Sequence, residues 1–167
     1  MSSVPRSRLL LFGCAAFVLL ADQLSKAWVV ANLPLQFSVD VIPWLSPILS
    51  FTYLTNTGVA FGLFPQFGDL FTILAVVVVG AILIFQRSLP PEDWLLHLAL
   101  GLQVGGALGN LVDRLFRGSV VDFIDVNFWP FQNWPVFNLA DSAIVVGVAL
   151  LMLSSWLDHK RMSDVGA

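Results

Sequence analysis

Four long apolar stretches dominate the chain, over residues 9–31, 70–86, 94 to 110 or just beyond (about 112), and 137–157. At about 1.5 Å of rise per residue each reaches roughly 25–35 Å, enough to cross the hydrocarbon core of a bilayer as a helix. The intervening pattern differs. Residues 32–68 alternate between polar and apolar, and Pro34, Pro43, Pro47 and Pro65 exclude a long helix there. Within it, residues 36–42 and 48–57 carry alternating β-branched and aromatic side chains, which predicts two strands of a small sheet. Asn56, Thr57 and Gly58 supply turn chemistry after the second strand, and Val59 to Phe64 reads as an apolar flap or short interfacial helix. Residues 113–136 read as a loop on the same side. The expected fold class is a mainly α membrane protein, a single embedded domain of four transmembrane helices with a small extracytoplasmic β-cradle and a flap.

Composition agrees: of 167 residues, 57% are hydrophobic and only 11% charged, proportions that a soluble domain of this length rarely shows. The net charge of -3 and the lack of a basic stripe argue against a nucleic-acid partner. Lys and Arg set the expected orientation. Arg6, Arg8, Arg87, Lys160 and Arg161 fall on one side of the four spans, and Arg114 and Arg117 on the other. Both termini are therefore expected in the cytoplasm, with residues 32–68 and 113–136 outside. Leu11 to Cys14 looks like a lipid-attachment site, but too few apolar residues precede Gly13 for a signal-peptide core, so the run reads as the first span. One cysteine, Cys14, excludes an intrachain disulfide.

Ionised side chains beside membrane-spanning sequence are costly and so are functional candidates. Asp22 and Lys26 stand i,i+4 on one face of the first span, as an ion pair would. The third span carries Gly101, Gly105 and Gly109 in one stripe with Gly106 adjacent, suited to close helix packing or to the approach of a lipid-bearing ligand. Asn138 is a good N-cap for the fourth span, and Asp141, three residues on, has the place of a capping-box acid. The two histidines, His97 and His159, both lie on the expected cytoplasmic side, far from the acids, which disfavours a metal site or a Ser-His pair. Ser25 and Lys26 are sequence neighbours, about 100° apart on a helix, and form no dyad with each other. What remains is a pair of carboxylates that share a proton and activate water without a cofactor. Asp113, Asp122, Asp125 and Asp141 leave several such pairs open.

Five motifs narrow the choice by resemblance. Asp22-Gln23-Leu24-Ser25-Lys26, Asn56-Thr57-Gly58-Val59-Ala60-Phe61, Gly105 through Arg114 (GGALGNLVDR), Val120-Val121-Asp122-Phe123 and Phe137-Asn138-Leu139-Ala140-Asp141-Ser142 resemble, in order, those of the bacterial lipoprotein signal peptidases, or signal peptidase II. The resemblance implies a membrane aspartic endopeptidase of the bacterial inner membrane, without cofactor or metal, that removes the signal peptide from diacylglyceryl-modified prolipoproteins before the lipidated cysteine. It implies Asp122 and Asp141 as catalytic residues. Asp22, Lys26, Asn56, Gly106, Asn110, Arg114, Asn138 and Ala140 match positions that support the site or bind substrate. Arg114 is expected to bind a lipid phosphate or to brace the carboxylates. The dipole of the fourth helix favours an ionised Asp141, so Asp122 is expected to carry the shared proton. A monomer suffices for this activity, with prolipoprotein and membrane lipid as partners. The alternatives from other classes are a small proton-coupled transporter, since acids in membranes also relay protons, and a noncatalytic assembly subunit built on the glycine stripe.

Overall fold

The computed structural model describes residues 6–40, 43–46, 48–58 and 68–165; the expected flap over 59–64 lies outside them. Four helices, α1 (Arg6–Asn32), α2 (Gly68–Phe85), α3 (Trp94–Arg117) and α4 (Leu139–Val165), and three strands, β1 (Ser38–Val39), β2 (Leu49–Asn56) and β3 (Val120–Val126), make up the described architecture. Each helix contains a stretch long and apolar enough to cross a membrane. Leu70, Ile73, Leu74, Val76 and Val77 of α2 are exposed, the pattern of a helix whose solvent is lipid.

Helix α3 is the centre of the bundle and packs against α1, α4 and α2. Its glycines explain how closely. A methyl group on Gly101 would lie 2.7 Å from the Leu11 carbonyl oxygen, and one on Gly105 would lie 2.7 Å from that of Ala15. One on Gly109 would lie 2.5 Å from the Asp22 carboxylate. The partners ascend together, so α1 and α3 run in the same direction. Gly106 instead faces α4, where a methyl would collide with the Ala140 carbonyl oxygen, and Gly147 of α4 returns the contact against Ala99. The stripe is thus filled by neighbouring helices, and the alternative expectation that it admits a lipid chain is corrected.

At the C-terminal ends of α1 and α3 sits an antiparallel sheet in the order β1-β2-β3. Strand β3 falls where the sequence reads as loop, and β1 is shorter than the expected 36–42. Gly118, in the left-handed conformation at φ 75°, closes α3 with its N–H donated to the Arg114 carbonyl and turns the chain into β3. Helix α3 therefore runs five residues past the expected 112, and α4 starts at Leu139 instead of 137. The period of two along β3 sends Val121 and Phe123 into a cluster with Val29 of α1 and Leu33 just beyond its end. Phe51 joins them edge-on to Phe123, ring centres 5.5 Å apart. Asp122 points to the other face.

If the glycine contacts set the bundle, Gly105→Ala should cost about 1–3 kcal/mol through overpacking and lower the melting temperature in detergent. Gly80→Ala, whose added methyl meets nothing within 4 Å, should hold or raise it. Equal melting temperatures for the two variants would refute this account of the packing.

Candidate functional site

The polar residues singled out in three helices and two strands converge at one end of the bundle. Lys26 is fully buried, and its ammonium lies 2.8 Å from Asp22 and 3.0 Å from Asp113, both also fully buried. Its third partner is the side-chain oxygen of Asn110 at 2.9 Å. The expected Asp22–Lys26 pair is therefore present, with Asp113 as a second acid that the sequence did not assign to it.

Each acid then reaches a further element. The other oxygen of Asp22 accepts the Ala140 N–H at 3.0 Å, satisfying a free donor in the first turn of α4. Asp113 accepts the Val121 N–H of β3 at 3.0 Å and the Arg117 guanidinium at 3.2 Å. Gln23 donates to Asp22, to the Gly109 carbonyl and to Asp113 at 3.0–3.3 Å. The sequence alone assigns Gln23 no role, because a lone glutamine in an apolar helix carries no period or partner.

Asn138 and Asp141 form the capping box. The Asp141 N–H donates to the Asn138 side-chain oxygen at 2.9 Å, and the Asn138 N–H donates back to the Asp141 carboxylate at 3.3 Å. That bond also fixes the Asn138 amide, whose NH2 donates to Asp122 at 2.7 Å and to Asn110 at 3.2 Å. The Asn110 oxygen faces a lysine, which can only donate, so its NH2 turns to Asp141 at 2.8 Å. Asn56 is oriented the same way: its oxygen accepts the Gly58 N–H at 2.9 Å, and its NH2 donates to Asp122 at 3.0 Å. Asp122 and Asp141 thus receive a donor on each of their four oxygens.

Both carboxylates line a cavity of about 510 Å³ with Asn56, Asn110 and Arg114. Its other walls are mostly apolar and run from Trp134 to Phe137 and down α4 to Val145 and Val146, which are exposed on the helix surface. Arg114 donates to the Gly58 carbonyl at 3.4 Å, and its buried Nε has no hydrogen-bond partner among the described residues. No bond from it to either carboxylate is present among the described residues, so the expectation that it braces them by hydrogen bonds is corrected. Asp113 and Asp125 lie away from the cavity walls. Asp113 is saturated with donors, and Asp125, opposite Ser50, accepts the Thr52 hydroxyl at 2.6 Å.

Burial, then the charge of Asp141, pushes the Asp122 carboxyl up to about 6, against the hydrogen bonds from Asn56 and Asn138 and the charge of Lys26. A carboxyl whose pKa rises on folding binds its proton more tightly in the native state. Its contribution to stability is complete below the unfolded value of 3.8 and is lost as pH rises through about 6.

Two stability measurements follow from this geometry. Lys26→Met leaves two buried acids without their cation and should cost about 3–5 kcal/mol, read from unfolding in detergent; a loss below 1 kcal/mol would mean that the pair is wet. Asp122→Asn should melt above the parent at pH 8, by up to about 3 kcal/mol for a shift of two pH units, and the gap should close towards pH 4. A gap that is constant with pH would contradict the raised carboxyl.

Comparison with known proteins brings a consistent set of relatives. The family described as Signal peptidase (SPase) II matches residues 14–157. A lipoprotein signal peptidase of Shewanella loihica is 42% identical over 164 residues, covering 96% of this chain and 94% of that protein. One from Desulfitobacterium hafniense is 46% identical over 140 residues, covering 84% and 88%. A solved bacterial membrane enzyme superposes with a TM-score of 0.78 at 31% identity, covering 95% of this chain and 92% of the other.

Proposed function

Because the chain belongs to the signal peptidase II family, and so is a membrane signal peptidase for lipoproteins, we propose that Asp122 and Asp141 are its catalytic residues and act together on a water molecule. The observation that carries this reading is the four-donor cradle: two carboxylates, each oxygen held by an N–H, face one largely apolar cavity. Such a cradle fixes both acids while leaving their remaining lone pairs to the cavity.

Asp122, with its raised pKa, holds the shared proton at rest. Asp141, at the N-terminus of α4 and hydrogen-bonded by Asn110, is the ionised partner. Asp141 takes a proton from water as the oxygen bonds to the scissile carbonyl carbon, and Asp122 donates a hydrogen bond to the developing oxyanion. The tetrahedral intermediate collapses when the proton on Asp141 passes to the leaving nitrogen, breaking the C–N bond. No cofactor or metal enters this sequence. Asp22, Lys26, Asn110, Asn138 and Ala140 hold the two acids in place, Gly106 admits α4 against α3, and Asn56 and Arg114 face substrate.

The substrate is a prolipoprotein carrying a diacylglyceryl group, cut before the lipidated cysteine. The apolar wall along Ile144, Val145 and Val146 supports lateral entry from the bilayer, since these residues continue the cavity onto the lipid-facing surface of α4. Arg6, Arg8, Arg87 and Lys160 cluster at the end of the bundle opposite the carboxylates, which favours cytoplasmic termini and an extracytoplasmic site in the inner membrane. The single membrane-embedded domain acts as a monomer.

Purified protein in detergent should cleave a diacylglyceryl-modified prolipoprotein. Asp122→Asn and Asp141→Asn should each lose at least about a thousandfold in rate, as removal of a catalytic group does, with folding verified by melting. Normal cleavage by either folded variant would return that aspartate to a capping or structural role.

A further inference from the structure

We propose that Asp113 is a positioning residue for Asp122, holding β3 in the register that presents the catalytic carboxylate; this rests on the reading of Asp122 given above. Asp113 is fully buried, lies on α3 and does not line the cavity. One of its oxygens accepts both the Lys26 ammonium at 3.0 Å and the Val121 N–H at 3.0 Å. Val121 directly precedes Asp122, so the bond ties the residue beside the acid, through its own N–H, to a carboxylate paired with the fully buried Lys26 ammonium.

The tie holds the edge of this stretch that β2 leaves open, since Val120, Val121 and Asp122 pair with Asn56, Thr55 and Leu54 on the other. On one edge β3 pairs with β2, whose register slips between Phe51 and Leu54. On the other edge, Phe137 bonds only the Phe123 and Ile124 end. Asp113 thus supplies the acceptor for Val121 on the edge that no strand covers among the described residues. The same carboxylate faces Arg117 and Gln23 through its second oxygen. Loss of the anchor would let the Val120–Val121 segment shift, and a displacement of about 1 Å at a catalytic group lowers the rate about a hundredfold.

Asp113→Asn separates the anchor from the charge. An amide oxygen still accepts from Val121, while Arg117, a third exposed, swings outward and Gln23 turns its amide. Two readouts decide: kcat and KM on the lipidated prolipoprotein, and hydrogen exchange at the Val121 amide by NMR in detergent. Asp113→Asn should keep Val121 protected and retain at least about a third of kcat. Asp113→Ala should lose that protection and about a hundredfold in kcat, with KM within about threefold because Asp113 touches no substrate.

Protection lost with kcat kept, or kcat lost with Val121 still protected, overturns the proposal in either variant. If the alanine variant does not fold, the asparagine variant decides by the same pairing of readouts. Asp122→Asn run alongside isolates the underlying reading: cleavage by that variant defeats the catalytic pair whatever Asp113 shows.

Discussion

An ammonium group sealed from water needs acceptors on every side, and Lys26 obtains them from α1 and α3 alone. Removing an ion from water costs several kcal/mol unless partners are placed well. Here the partners are two carboxylates with oxygens to spare. Asp22 spends its second oxygen on the first turn of α4, and Asp113 accepts the backbone of β3. One buried cation therefore brings two transmembrane helices into register and, through its counter-ions, fixes the start of a third helix and an edge of the sheet. The glycines of α3 make this possible, since a side chain at Gly109 would occupy the space of the Asp22 carboxylate.

The cation also gives the site its polarity. Amide groups are ambiguous ligands because oxygen and nitrogen have similar shapes, and a neighbour that can only donate or only accept must break the tie. Lys26 does so for Asn110, the Asp141 N–H for Asn138, and the Gly58 N–H for Asn56. All three then direct their NH2 groups at carboxylates. Two acids side by side in an apolar cavity would otherwise be protonated or disordered, and the fixed donors offset much of that penalty.

Much of this was legible in the sequence where the signal was local. Apolar length marked the four spans, the i,i+4 spacing marked the Asp22–Lys26 pair, and Asn138 with Asp141 marked the helix start. Asn110 was recognised by resemblance alone, and so were the site roles of Asn56 and Asn138, whose local signatures mark only a turn and a helix cap. Strand β3 was missed because seven residues after a helix gain strand character only by pairing with β2, more than sixty residues earlier in the chain. Asp113 was missed as a partner of Lys26 for the same reason: eighty-odd residues separate them, and only the parallel packing of α1 and α3 closes the gap. The glycine stripe was visible, but which helix each glycine faces depends on the bundle.

Asp141 carries a conflict between the helix and the proposed reaction. As the acid of a capping box it commits one oxygen to the Asn138 N–H, the bland role that a sequence alone would assign it. The other oxygen takes the Asn110 amide, yet each carboxylate oxygen has a second lone pair, and Asp141 lines the cavity. Capping therefore does not compete with general-base chemistry. It immobilises the carboxylate and places it in the positive field of the α4 N-terminus, with a lone pair on each oxygen to spare for the proposed reaction.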